Sequence, residues 1–297
     1  MNSSGYEALR SRAAWLDLSG RGVIAVTGED RARLLHALST NDIEHLKPGE
    51  SCYAFFLNAQ GRILADANIL CRAEDFLIDT EPEIRASLYQ HIDKYIIADD
   101  VTLEDASERL SAIALEGPEA LTIAAGMDGV RLTLTGEPGL RFFVPYDQKT
   151  NLIAQLEKAG TVAADAEAAR AVRMEHAKPR YGEDITEAHL AQETQQMHAL
   201  SFSKGCYLGQ EIVERVRSRG LVHRLLVGLN INTQNIPAPG TPVTANGNEI
   251  GKLTSVALSP ALGTCVAMAY VRREHADPGT RLVVNGSVAE VRPLFVP

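Results

Sequence analysis

Hydrophobic positions fall in short blocks along the first two thirds of the chain, and their spacing changes from one block to the next. Residues 52–57 form an aromatic and apolar run, Asn58-Ala59-Gln60-Gly61 has turn composition, and 62–70 resumes with Ile63, Leu64, Ile69 and Leu70. That pattern predicts a β-hairpin. Thr80 followed by Glu83 is a capping-box signature, and Ile84, Leu88, Ile92 and Tyr95 then share one helical face, predicting a helix over 81–97. Residues 131–135 and 140–144 flank Gly136-Glu137-Pro138-Gly139 and predict a second hairpin. Leu152, Ile153 and Leu156 mark a short helix stopped by Gly160, and the Ala-rich stretch 163–171 is good helix sequence.

Beyond residue 224 the texture changes. Short strand-like runs occupy 225–231, 242–245, 249–256, 265–271, 281–284 and 288–291, and Asn246-Gly247 and Asn285-Gly286 lie between pairs of them. Asn-Gly between apolar runs is the strongest short hairpin signal, so the last seventy-odd residues read as a small all-β barrel or sandwich. The expected class is α+β, with a mixed region over 1–223 and an all-β domain over 224–297. At 297 residues the chain exceeds one typical domain.

Composition narrows the function classes. Hydrophobic residues at 45% and charged residues at 23% give the balance of a globular protein, not a disordered one. A formal charge of −9 disfavours broad attachment to nucleic acid or anionic membrane, because either partner is repelled at long range. No apolar stretch has the length of a membrane span and residues 1–15 lack the apolar centre of a signal peptide, so a cytoplasmic location is expected. The four cysteines are scattered singly and no metal site is expected. Cys52, Cys71 and Cys265 sit in apolar runs that bury thiols. The eight histidines form no ligand spacing and read as surface or capping residues, and no Gly-rich phosphate loop is present.

Four features could carry chemistry. The segment Lys204-Gly205-Cys206-Tyr207-Leu208-Gly209-Gln210-Glu211 joins two glycines to a lysine two positions before a thiol, a setting that favours thiolate; the plainer alternative is a turn with Lys204 solvated. Arg215, Arg217, Arg219 and Arg224, with His223, form a dense basic patch suited to a polyanionic tail, or else a solvated face paired with Glu211 and Glu214. If the segment is extended, 215, 217 and 219 share a side. Glu175 could accept the paired N–H donors of a pterin edge, or end a surface helix. Asp66 between Ala65 and Ala67 is a carboxylate in a strand, where acidic residues are depleted, and either faces a cavity or points outward.

With that segment in view, the chain resembles the YgfZ family of folate-binding, GcvT-like proteins of iron–sulfur protein maintenance, whose K-G-C-Y-x-G-Q-E hallmark is matched at 204–211. A wider resemblance to the glycine cleavage T-protein runs through Thr40-Asn41-Asp42, Leu57 to Asp66, Arg173-Met174-Glu175, Tyr181 to Ile185, Arg224 and Ile250 to Ser255. The resemblance implies a three-lobed fold with a central folate site and a C-terminal β-barrel. It implies tetrahydrofolate or a derivative as the cofactor, with Asp66, Glu175, Tyr181 and Arg224 at its site. Cys206, Lys204 and Asp66 become the catalytic candidates within or beside the motif Lys204, Gly205, Cys206, Tyr207, Gly209, Gln210 and Glu211. The implied role is assembly or repair of iron–sulfur clusters, with client or assembly proteins such as those of tRNA-modifying enzymes as partners. The alternatives are an aminomethyltransferase of the T-protein type and a non-catalytic folate-binding scaffold. Ala65 replaces the first carboxylate of the T-protein's acidic pair, which argues against aminomethyl transfer.

Overall fold

The computed structural model describes residues 1, 3–220 and 222–297. In chain order come helix α1 (Ser3–Ser11), strands β1 (Ala14–Asp17) and β2 (Gly22–Thr27), helix α2 (Arg31–Leu38), and strands β3 (Ser51–Leu57), β4 (Ile63–Cys71) and β5 (Phe76–Thr80). Helix α3 (Arg85–Asp93), strands β6 (Thr102–Asp105) and β7 (Leu110–Glu116), helix α4 (Ala120–Ile123), strand β8 (Gly139–Pro145), helix α5 (Lys149–Lys158), strand β9 (Val162–Ala163) and helix α6 (Ala166–Glu175) follow. After several single turns, helix α7 (Gln210–Arg219) leads into β10 (Arg224–Ile231), β11 (Pro242–Ala245), β12 (Asn248–Leu258), β13 (Cys265–Arg272), β14 (Arg281–Val284) and β15 (Ser287–Arg292).

The strands form three bodies: a five-stranded sheet ordered β3-β4-β5-β2-β6, a four-stranded sheet ordered β8-β7-β1-β9, and a closed barrel ordered β10-β13-β12-β11-β14-β15. This is the expected α+β class with a C-terminal all-β barrel. Asn246, Gly247, Asn285 and Gly286 all have positive φ, the condition for the two-residue turns that close the hairpins β11–β12 and β14–β15. Alternate residues of the barrel strands, among them Val227, Leu229, Ile231, Cys265, Ala267, Ala269 and Val271, fill the interior. The opposite face of β13, with Val266, Met268 and Tyr270, packs on Met174 of α6. Strand β13 is therefore buried on both faces, and α6 is the axle between barrel and sheets.

Two local expectations fail for identifiable reasons. The helix over 81–97 is shorter, a single turn at Pro82–Ile84 followed by α3. Its capping box is absent because the Thr80 hydroxyl donates to the Asp66 carbonyl at 2.7 Å and Glu83 pairs with Arg180 at 2.6 Å. The hairpin over 131–144 does not form. Strand β8 pairs with β7, and 133–135 instead wraps the buried Glu116 carboxylate, which accepts Leu134 N at 2.6 Å and Thr135 N at 2.8 Å. Residues 215–219 are helical, not extended. Glycines with positive φ bracket α7 at both ends, Gly209 and Gly220. No helix among the described residues is long and apolar enough to cross a membrane.

Candidate functional site

Strand pairing assembles a polar face inside the five-stranded sheet. Phe55 lies opposite Asp66, Tyr53 opposite Asn68, and Asn68 opposite Asp79. Directly paired residues share a face and side chains alternate along a strand, so Tyr53, Asp66, Asn68 and Asp79 point to one side while Ala54, Ala65 and Ala67 turn into the core on the other. That polar side forms the floor of a cavity of about 650 Å³. The remaining wall comes from the 131–141 segment, from Arg173 and Lys178 to Arg180 after α6, from Gln196 and His198, and from Phe295 to Pro297 beyond the barrel.

With Asp79, Asp66 is one of two buried carboxylates on this floor. Burial raises its pKa to about 6, although the Tyr53 hydroxyl donates to its Oδ2 at 2.6 Å and favours the ionised form. The His198 ring stacks on Tyr53 at 5.3 Å, and burial, with the Lys178 charge, drives its pKa down to about 4, so it is neutral at pH 7. Burial likewise raises the Cys52 thiol, also in the lining, to about 12. Around Asp79 the charges are matched. Burial alone disfavours its ionised form, but ion pairs to Arg141 and, at 2.6 Å, to Arg21 outweigh it and lower the pKa. Arg21 also reaches Glu81 at 2.6 Å, and Arg180 joins Glu81 at 2.9 Å. Burial lowers the Lys178 pKa to about 8.

Of the residues singled out from the sequence, Asp66 lines the cavity. Glu175, Tyr181, Arg224, Lys204 and Cys206 are not among its lining residues. Glu175 faces α1 and the barrel, accepting the Tyr6 hydroxyl at 2.8 Å and the Ser259 hydroxyl at 2.6 Å. Tyr181 is buried and donates to the Leu64 carbonyl at 2.7 Å, which fixes the strand that carries Asp66. Arg224 pairs with Glu193 at 3.0 Å and lies 5.2 Å over the Tyr270 ring. Lys204 is not solvated. Its ammonium donates to the carbonyls of Ser39 at 2.6 Å, Asn41 at 2.9 Å and His36, capping the last turn of α2. Burial lowers its pKa to about 8, against the opposing pull of the Asp42 and Glu44 charges. Cys206 is exposed. Gly205 and Gly209 flank it, and Gln210 and Glu211 open α7, while Tyr207 is buried beneath the Lys204 ammonium at 4.8 Å. Arg217 of the basic patch lies 4.4 Å over Phe202 and pairs with Glu214 at 3.6 Å.

Sequence reasoning passed over Tyr53, Asp79, Lys178 and His198. Asp79 gave the same signal as Asp66, a carboxylate inside an apolar strand. The histidines are not all surface or capping residues: His36 accepts backbone N–H groups at 3.3 Å, as a cap does, but His198 lines the cavity and His189 stacks on Tyr270 at 4.0 Å. Among the described residues no group of three or more His, Cys, Asp or Glu side chains is placed to hold a metal ion.

Residues 3–130 match the GCVT N-terminal domain, and 224–292 match the glycine cleavage T-protein C-terminal barrel domain. An aminomethyltransferase of Rubrobacter xylanophilus is 30% identical over 293 residues, which is 91% of this chain and 78% of that protein. The chain belongs to the glycine cleavage T-protein family. Other members point the same way: an aminomethyltransferase of Streptomyces coelicolor is 30% identical over 309 residues, 93% of this chain and 82% of its own. The family fold is shared with the solved aminomethyltransferase T of the glycine cleavage system from Bartonella henselae, at a TM-score of 0.88 and 24% identity over 98% of this chain and 88% of that one.

Proposed function

We propose that the cavity binds a reduced folate and that Asp66 is the ionisable group used on it. The observation that carries this reading is the buried Tyr53–Asp66 pair at 2.6 Å in the floor of a cavity of about 650 Å³, within the size range of small-ligand sites. The lining fits such a molecule. A reduced pterin offers N–H donors and a flat face, and the cavity offers a carboxylate acceptor beside the stacked rings of Tyr53 and His198. A carboxyl titrating near 6 is suited to take the proton that a folate nitrogen gives up when it forms a new bond to carbon.

The reaction supported best is aminomethyl transfer, because the relatives named above are aminomethyltransferases. A second reading rests on a different observation: the exposed Cys206 in Lys204–Glu211, the segment in which the chain resembles the YgfZ pattern, together with Ala65 beside Asp66. It makes the protein a folate-binding factor that serves iron–sulfur proteins. One assay separates them, release of ammonia and methylenetetrahydrofolate from an aminomethylated lipoyl carrier. Turnover that is lost in Asp66→Asn supports transfer. Folate binding without turnover, combined with iron–sulfur enzyme activity in cells that depends on Cys206, supports the second reading. Absence of reduced-folate binding by calorimetry overturns both.

A further inference from the structure

The cations that line the cavity differ in how they are compensated. Arg21 is matched by Asp79 and Glu81, Arg141 by Asp79, Arg180 by Glu81 and Glu83, and Arg173 by Glu183 and Asp184. Arg131 has no such partner among the described residues but is exposed, where water solvates a lone charge. Lys178 is half-buried, and its ammonium opens to the cavity without a protein anion. Among the described residues its ammonium makes no ion pair and donates no hydrogen bond, and its one close polar contact is the face of the Phe295 ring, 4.7 Å from Nζ. Asp66 and Glu116 act on it only through longer-range attraction.

An ammonium partly withdrawn from water and without a counter-anion is disfavoured, as its lowered pKa reflects, and a cation–π contact offsets only part of that cost. What the position lacks is an anion. The neighbouring backbone holds both parts of the arrangement in place: Phe295 N donates to the Ala177 carbonyl at 3.2 Å, one residue before Lys178, and Arg292 caps the carbonyls that end α6.

We propose that Lys178 is the ligand-docking cation of the cavity, binding a carboxylate of the bound molecule, and that the Phe295 ring holds the ammonium in position until that carboxylate arrives. The inference rests on the folate reading above, and in a reduced folate the formal negative charges are the glutamyl carboxylates. Lys178 thereby selects a charged glutamyl group over a neutral one.

The test compares 5-formyltetrahydrofolate with its glutamyl diamide, which keeps the shape and removes the charge, by calorimetry on the full chain. The native protein is expected to prefer the carboxylate form by about tenfold or more, the range of a charge-assisted hydrogen bond. Lys178→Met should bring the carboxylate form to the affinity of the diamide and leave the diamide unchanged, and Lys178→Arg should keep the preference. Lys178→Gln serves in place of the methionine variant if that one does not fold. Equal binding of the two ligands to native protein, or equal weakening of both by Lys178→Met, overturns the role of Lys178 and leaves the folate reading standing. If neither ligand binds native protein, the folate reading falls and takes this inference with it.

Discussion

Lys204 donates its ammonium to the backbone carbonyl of Asn41 at 2.9 Å, and the side-chain amide of that same Asn41 donates to the carbonyls of Tyr53 and His198, both at 2.9 Å. The exposed thiol loop and the cavity are thus separate places tied through one residue. Replacing Lys204 by Met leaves the carbonyls of His36, Ser39 and Asn41 without their donor. The expected loss is about 2 kcal/mol of unfolding free energy, the scale of hydrogen bonds to a charged group, read from urea denaturation. Ligand affinity should fall as well, because Asn41 anchors Tyr53. Unchanged stability would show that water replaces the ammonium without cost.

Asp66 carries a stability cost through its burial. Its folded pKa of about 6 lies above the value of about 3.9 for an unfolded aspartate, so at pH 7 the native state bears a penalty for ionisation. That penalty is relieved as pH falls from about 6 toward 4, where the folded protein takes up a proton that the unfolded chain does not. Asp66→Asn, still able to accept from Tyr53, should therefore stabilise the protein at pH 7 by about 1–3 kcal/mol while abolishing function. The gain should shrink toward pH 4. Thermal unfolding at several pH values measures both, and a gain that does not depend on pH contradicts the assignment.

Gly209 sits where a side chain cannot. Its φ is +83°, and a Cβ would lie 2.7 Å from the Asn58 carbonyl and 2.9 Å from the Leu57 side chain, at the tip of the β3–β4 hairpin. Gly61 at that same tip, with φ +70°, would meet Ile212 of α7 at 2.7 Å. Gly209→Ala should cost about 1–3 kcal/mol through backbone strain alone, with more from the clash. A denaturation midpoint equal to the native one would remove this contact as the reason for the glycine.

Legibility in the sequence followed the range of the interactions. The barrel strands were readable nearly residue by residue, because alternation along a strand and Asn-Gly turns are local properties, and Asn246 and Asn285 take up the positive φ that such turns need. The 131–135 segment misled because its backbone donors go to Glu116, a partner set by tertiary packing that no local pattern announces. Asp66 was readable as a carboxylate out of place. Lys178 and His198 were not, since each is an ordinary polar residue in a loop or single turn whose meaning comes from what folds against it. Lys204 was read as the electrostatic neighbour of Cys206, whereas its charge is directed to the end of α2.

The four thiols should separate cleanly in alkylation at neutral pH. Cys206 is exposed, Cys71 and Cys265 are buried, and burial raises the Cys52 thiol to about 12. Peptide mapping should find Cys206 modified first. Saturating 5-formyltetrahydrofolate should protect Cys52, which lines the cavity, and leave the Cys206 rate unchanged. Strong protection of Cys206 by the ligand would mean that the bound state closes the loop onto the cavity.

The wall supplied by Phe295 to Pro297 sets an order of events during synthesis. Asp66, Asp79, Arg141 and Lys178 all emerge from the ribosome well before Phe295, whose segment follows the last barrel strand. No nascent chain ending inside the barrel carries the complete cavity lining, which exists only once residues 295–297 have been made.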